Sequence, residues 1–195
     1  MDRKKSNLPM ICNLVLMAGM IVLCFFAAHT VFTSTMPEGF KGTAGIHKAH
    51  ISLLGFGHIF NAMALACGGI IYTLKGSSKQ AAVYYKTFLL LTAAGSALRL
   101  IGTIVYPGFG FSDVLLIGIL LLLLILAFAK DLGEKNTWIL FCLTLILEVV
   151  LAIVTFDKDM VLVSIVSSVS RLVLLVSIGF SIRAKYLDKK ERGSK

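Results

Sequence analysis

The chain has 195 residues, of which 57% are hydrophobic and 15% charged, and its mean hydropathy is +0.90. A soluble domain carries about 25% charged residues, so this composition excludes a protein whose surface mostly faces water. The formal net charge is +9, but most of the charged residues lie at the ends of apolar runs. Because the chain has neither zinc-type cysteine pairs nor a basic surface interleaved with aromatic residues, we expect no nucleic-acid partner.

Six apolar runs are each near the length of about 20 residues that crosses a bilayer as an α-helix. The predicted spans are residues 8–32, 46–74, 83–106, 114–129, 138–156 and 160–182. No segment has the composition of a separate soluble domain. We therefore predict an all-α polytopic membrane protein in which six transmembrane helices form a single domain over residues 1–195, with the lipid bilayer as its partner.

The basic residues of the loops predict the orientation of the chain. With the N-terminus placed in the cytoplasm, fourteen Lys and Arg residues fall on the cytoplasmic side and three on the external side, while Arg99 and Arg171 fall within spans. Positively charged loops are retained in the cytoplasm. We therefore predict that both termini are cytoplasmic and that the protein resides in the plasma (inner) membrane.

Three charged residues lie inside the predicted spans, namely Arg99, Glu148 and Arg171. A charge at bilayer depth costs about 2.5–3.5 kcal/mol on insertion scales, so it normally points into the bundle towards a partner. Each belongs to a polar stripe on its helix, and the stripes are Thr92, Ser96, Arg99 and Thr103; Thr144, Glu148 and Thr155; and Ser164, Ser167, Ser168 and Arg171. The fourth span has no such stripe, so we predict that it lies at the lipid edge of the bundle.

The second span carries a face of histidines. His47, His50, His58 and Asn61 follow one another at i, i+3, i+11 and i+14, which places them within an arc of roughly 80–120° at about 100° per residue. His29, on the first span, is the remaining histidine of the chain. Because a membrane helix gains nothing by presenting imidazoles to lipid, we expect this face to point into the bundle.

We expect a layer of polar residues at a similar depth in the outer half of the bilayer, as judged from a rise of about 1.5 Å per residue. Its members are His29, His58, Asn61, Arg99 and Glu148, with Arg171 nearer the middle of the bilayer. His47 and His50 are expected above this layer, at its mouth. Two arginines face one glutamate, so the layer keeps an excess of positive charge. The sequence therefore predicts a site for a small molecule, with an anion favoured. Its predicted ligand-binding residues are His29, His58, Asn61, Arg99, Glu148 and Arg171.

The same histidines leave a haem or metal site open as an alternative. Two imidazoles on facing helices are the usual axial ligands of haem b, and His29 with His50 or His58 would supply such a pair in electron transfer or sensing. The candidate haem or metal ligands are His29, His47, His50 and His58. His47 and His50 alone form an incomplete metal site, because no carboxylate stands beside them.

The third and sixth spans resemble each other at an offset of 72 residues, where SALRLI matches SVSRLV. Three spans in each half would make the two halves inverted, as in many transporters, although the other spans show no matching pattern. In size and number of spans the chain is also similar to the substrate-binding subunits of energy-coupling-factor vitamin transporters. That likeness implies only that such a bundle can hold one small ligand near its outer face.

We find no catalytic motif and do not expect an enzyme. GHIFNAM at residues 57–63 resembles the His-and-Asn helix of the rhomboid intramembrane proteases. However, no GxSG motif occurs on the fourth span and no histidine follows His58, so a Ser–His dyad on later helices cannot form. A non-catalytic membrane accessory or scaffold protein is the third alternative.

Overall fold

The computed structural model describes residues 8–36, 40–73, 78–106, 108–129, 132–158 and 161–193. These residues form six α-helices and no strand, so the predicted all-α fold is confirmed. The helices are α1 (Leu8–Phe32), α2 (Ala44–Thr73), α3 (Ser78–Val105), α4 (Phe111–Phe128), α5 (Glu134–Val154) and α6 (Val161–Gly193).

The molecule is built as an integral membrane protein. Among the described residues, α1 to α5 each contain a stretch that is long and apolar enough to cross a membrane, and α6 contributes a shorter apolar stretch, Val161–Val176. Large aliphatic side chains cover the outside of the bundle, and Val15 and Ile153 are 67% and 72% exposed. Such a surface is stable against lipid tails and costly against water.

The largest difference from the predicted boundaries is at the end of α6, which continues to Gly193 instead of ending near residue 182. Residues 183–193 continue the helix, and residues 194–195 lie outside the described part of the chain. Lys, Glu and Arg are strong helix formers, so the helix persists beyond its apolar segment. In the same way α3 and α5 begin a few residues before their predicted apolar starts.

The helices α2, α3 and α6 form the centre of the bundle. Each of these three helices packs against the other two, while α1 packs against α2 and α6. In the described part of the chain α4 packs only against α3 and α5, which puts it at the edge of the bundle as its uniformly apolar sequence predicts. The polar stripes of α3 and α6 therefore meet the histidine face of α2 in the interior.

Glycines bring α2 and α3 into close contact. A Cβ atom on Gly95 would lie 3.2 Å from the carbonyl oxygen of Gly57 and 2.9 Å from Oδ1 of Asn61. A Cβ on Gly102 would lie 3.2 Å from Cδ2 of Leu54. Small residues that let two backbones approach are a common basis of helix association in lipid. Here they hold the histidine face of α2 directly against the arginine-bearing helix.

Much of the apolar core lies in the half of the bundle that contains the α2–α3 and α4–α5 connections. On α3 its fully buried members Phe88 and Leu89 precede the polar stripe, and on α6 Leu174 and Ile178 follow Arg171. The opposite half, at the α1–α2, α3–α4 and α5–α6 connections, holds the polar side chains that line the cavity. This division leaves room for a cavity that opens at one end and is closed below by apolar packing.

Candidate functional site

A cavity of about 290 Å³ lies in the polar half of the bundle. Its α2 residues are His47, His50, Ile51, Leu54, Gly57, His58 and Asn61. The residues from α3 and its C-terminal end are Gly95, Ser96, Arg99 and Tyr106, and those from α6 are Val163, Ser164, Ser167, Ser168 and Arg171. The rest of the wall is Val31, Ser34, Thr35, Phe40, Thr155 and Asp157. The cavity thus receives the complete polar stripe predicted on α6 and the complete histidine face of α2.

Arg99 enters the cavity from α3. One terminal nitrogen, Nη2, donates a hydrogen bond of 3.0 Å to Oγ1 of Thr155, just after α5. The other, Nη1, is buried and has no hydrogen-bond partner among the described residues. No carboxylate of the described chain forms an ion pair with Arg99, although Glu148 and Asp113 act on its charge at longer range. Arg99 therefore offers an available donor and has no direct ion-pair partner among the described residues.

Arg171 enters from α6 and is paired on its far side. Its Nη1 lies 3.2 Å from Oε2 of Glu148 on α5, and its Nε donates to the carbonyl oxygen of Ser167 at 3.3 Å. The contact with Glu148 lacks hydrogen-bond geometry, so Nη1, Nη2 and Oε2 are all buried without a hydrogen bond. Glu148 does not itself line the cavity. The glutamate neutralises Arg171 from behind while the guanidinium faces the empty space.

His58 and Asn61 complete the inner end of the cavity. They are 8% and 7% exposed, and the Nδ1 atom of His58 has no hydrogen-bond partner in the described structure. His58, Arg99 and Arg171 all line the same cavity. The inner end therefore collects hydrogen-bonding groups from three helices, most of them donors.

The mouth of the cavity is aromatic. The ring of Phe40, from the α1–α2 connection, lies 4.1 Å from the ring of Tyr106 at an interplanar angle of 33°. His47 meets Phe40 edge-on at 5.2 Å, and His50 meets Tyr106 edge-on at 5.8 Å. Aromatic pairs are attractive in these tilted and edge-to-face arrangements. The four rings form one cluster at the open end of the bundle.

His50 has a defined tautomer when its ring is neutral. Its Nδ1 lies 2.8 Å from the carbonyl oxygen of Gly102, and a carbonyl oxygen can only accept, so Nδ1 carries the hydrogen. The second ring nitrogen, Nε2, is then an acceptor. By contrast, both ring nitrogens of His47 are buried without a hydrogen bond in the described structure.

His29 is the predicted site residue that the structure leaves apart. Its side chain is exposed on α1 and does not line the cavity. The expectation that His29 shares a layer with His58 depended on depth alone, and depth does not fix which way a helix turns its side chains. The other predicted ligand-binding residues come together, with Glu148 connected to the cavity through Arg171.

The haem and metal alternative gains no geometric support. The predicted axial pair needed His29 opposite His50 or His58, and His29 lies outside the cavity that those two residues line. Within the described part of the chain, no group of three or more His, Cys, Asp and Glu side chains is arranged to hold a metal ion.

Two acidic residues near the cavity were not identified from the sequence. Asp113 is 1% exposed; its carboxylate accepts hydrogen bonds from the hydroxyl of Thr103 and, at 2.7 Å, from the backbone N–H of Gly110. Asp157 lines the mouth, where its backbone N–H donates to Oγ of Ser164 at 3.1 Å. Both aspartates stand at helix ends, where a sequence reading assigns them to solvated turns. The position of Asp113, three residues after Gly110, is the signal of a helix cap that could have revealed it.

Comparison of the chain with protein-family models, with curated proteins and with solved structures finds no match in any of the three. The interpretation of the cavity consequently depends on its own residues.

Proposed function

We propose that this membrane protein binds a small anion in the cavity between α2, α3 and α6. The observation that supports this proposal is the set of buried nitrogen atoms without hydrogen bonds at its inner end: Nη1 of Arg99, Nη2 of Arg171 and Nδ1 of His58. Nη1 of Arg171 also makes no hydrogen bond, but it lies in the ion pair with Glu148. Guanidinium nitrogens are donors only, so the cavity offers donors and calls for an acceptor. A buried polar group without a partner costs about 1–3 kcal/mol, and more when it is charged.

The balance of charge favours an anion over a neutral acceptor. Arg171 is neutralised by Glu148, whereas Arg99 has only the hydroxyl of Thr155 as a direct partner. Asp113 is engaged by its own helix cap, and Asp157 is exposed at the mouth. Among the described residues, Arg99 therefore has no carboxylate within ion-pair distance. A charge at such depth is costly unless it is paired, and a bound anion would provide the pair.

The predicted orientation completes the proposal. With both termini in the cytoplasm, the α1–α2, α3–α4 and α5–α6 connections lie outside, and the cavity opens to the external medium. The protein would then receive its ligand from outside, as a binding protein or as the entry site of a carrier.

The test is ligand-dependent stability of the purified protein in detergent. A ligand that binds only the folded state stabilises it by about 2.7 kcal/mol at a hundredfold excess over its dissociation constant. We expect acetate and other small carboxylates to raise the unfolding temperature, and uncharged alcohols of the same size to have no effect.

Substitutions test whether the anion binds in the cavity. Arg99→Gln and Arg171→Gln should each abolish the rise, whereas Lys158→Gln, which removes an exposed positive charge at the same end of the bundle, should retain it. Equal stabilisation of the wild type by alcohols, or full retention of the rise in both arginine variants, would contradict the proposal.

A further inference from the structure

The cavity has two chemically different ends. Along α3, Arg99 and Tyr106 both line it and are seven residues apart, which corresponds to about 10 Å at 1.5 Å per residue. The inner end offers guanidinium donors, and the outer end offers the packed rings of Phe40 and Tyr106. Between them the wall is aliphatic on the α2 side, at Ile51 and Leu54, and carries the hydroxyl groups of serines on the α6 side. A ligand with an acceptor head and a body that packs on the aliphatic and aromatic side matches this space.

The head is restricted by charge and shape. A dianion would leave one negative charge unpaired, because Glu148 already balances Arg171 and, of the two arginines in the cavity, only Arg99 lacks an ion-pair partner among the described residues. A planar carboxylate with two acceptor oxygens matches the planar fork of donors on a guanidinium group. Arg99 and Arg171 both have terminal nitrogens available for it.

The body is restricted by the rings and by the volume. Phe40 and Tyr106 lie 4.1 Å apart, and His50 approaches Tyr106 edge-on at 5.8 Å, so a further ring can join the cluster in a tilted or edge-to-face contact. Such pairs contribute about 0.5–1.5 kcal/mol beyond the burial of their area. The cavity volume of about 290 Å³ is at the small end of ligand pockets, which begin at roughly 300 Å³.

We infer that the ligand is a singly charged aromatic carboxylate, which binds with its carboxylate between Arg99 and Arg171 and its ring against Phe40 and Tyr106. This inference depends on the proposed anion site and specifies the ligand class that the site takes. The ring and the carboxylate are separated by a short spacer, because the two ends of the cavity are about two turns of α3 apart.

The experiment measures the affinity of the full-length protein in detergent, by calorimetry, for benzoate, phenylacetate, 3-phenylpropanoate and 4-phenylbutanoate. We expect the affinity to rise along the series to 3-phenylpropanoate or 4-phenylbutanoate. The best member should bind at least tenfold more tightly than hexanoate, which has the charge without the ring. It should also bind at least tenfold more tightly than 3-phenylpropan-1-ol, which has the ring without the charge.

Hexanoate and 3-phenylpropan-1-ol test separately the aromatic body of the ligand and its anionic head. Equal binding of hexanoate and the best aromatic acid would overturn the aromatic inference and leave the anion site intact. Equal binding of 3-phenylpropan-1-ol would overturn both, and so would the absence of binding by every carboxylate. Tighter binding of inorganic phosphate than of any of the carboxylates would contradict the singly charged head.

Two variants test whether the aromatic ring of the ligand packs at the mouth of the cavity. Tyr106→Leu should weaken binding of the best aromatic acid about tenfold more than it weakens binding of hexanoate, and so remove most of the preference for the ring. Phe109→Ala removes a 64% exposed ring at the same end of the bundle and should leave both affinities unchanged. The unfolding temperature without ligand shows whether each variant is folded. An unaltered preference in folded Tyr106→Leu would overturn the placement of the ring.

Discussion

Arg171 on α6 and Glu148 on α5 form an ion pair of 3.2 Å, with side chains only 5% and 3% exposed. The pair connects two helices that flank the cavity, and it sits behind the cavity wall because only Arg171 lines the space. A buried pair gives little net stability over an apolar equivalent, but removal of one partner leaves the other charged and unpaired. The pair therefore holds Arg171 in place while its remaining donors face the cavity.

Glu148→Gln should destabilise the protein strongly, by about 3–5 kcal/mol, because it leaves Arg171 buried without a counter-charge. Adding Arg171→Leu should restore part of this loss, since the two effects are coupled. Adding Arg99→Leu instead should restore less, because Arg99 bonds to Thr155. The measurement is unfolding in detergent for the single and double variants. Additive losses in Glu148→Gln/Arg171→Leu would show that the pair does not exist in the membrane protein.

Because α2 and α3 pack closely, we expect alanine substitutions at two glycines to differ sharply in their effect on stability. Gly95→Ala would place a Cβ 2.9 Å from Oδ1 of Asn61 and 3.2 Å from the carbonyl oxygen of Gly57. Since the Asn61 side chain must move and the α2 backbone must shift by a few tenths of an ångström, we expect a loss of about 1–3 kcal/mol together with weaker ligand binding. Gly19→Ala is the matched control, because a Cβ there meets nothing within 4 Å. Equal unfolding temperatures for both variants would refute the close approach.

Asp113 is a buried carboxylate outside the cavity, and we expect its role to be structural. Its oxygens accept from the hydroxyl of Thr103 on α3 and from the backbone N–H of Gly110 before α4. Asp113→Ala removes both bonds, and we expect a loss of about 1–2 kcal/mol, as for other helix caps. Ser112→Ala, at the neighbouring half-buried position, should change the unfolding free energy by less than about 0.5 kcal/mol. Ligand affinity should remain as in the wild type in Ser112→Ala.

The helices of the fold could be predicted because lipid imposes length and hydrophobicity on every span. The polar stripes could be predicted because a period of 3.6 residues shows when polar residues share a face, and α6 places its whole stripe on the cavity. A single residue has no period, and for that reason the direction of His29 could not be derived. The aromatic mouth also escaped prediction, because Phe40 comes from a loop and meets Tyr106 only after folding.

The sequence alone also could not show which of the two arginines pairs with Glu148. The sequence places Arg99 and Arg171 in similar stripes 72 residues apart, and nothing in their spacing distinguishes them. In the folded bundle it is Arg171 of α6 that forms the ion pair with Glu148 of α5. An inverted relationship between the two halves of the chain stays a prediction.

The orientation of the protein can be tested by labelling single cysteines in a variant without its four native ones. Lys158→Cys, in the α5–α6 connection, and Lys135→Cys, in the first turn of α5, replace exposed residues at opposite ends of the bundle. The excess of basic residues on one side predicts that a membrane-impermeant maleimide labels position 158 in intact cells and position 135 only after permeabilisation. The reverse pattern would place the mouth of the cavity in the cytoplasm.

His58 and His29 provide the closest comparison for the site itself. The sequence predicts both as ligand contacts, but His58 is 8% exposed in the cavity wall with Nδ1 unpaired, whereas His29 is exposed on α1. We therefore expect His58→Ala to weaken carboxylate binding at least tenfold, since it removes a hydrogen-bonding group beside Arg99 and Arg171. His29→Ala should leave binding within twofold of the wild type. His47→Ala, at the mouth, should change the association rate more than the affinity, because it alters the entrance rather than the head-group site. Calorimetry and stopped-flow binding measure the two quantities. Equal losses in His29→Ala and His58→Ala would show that the ligand lies outside the cavity described for this bundle.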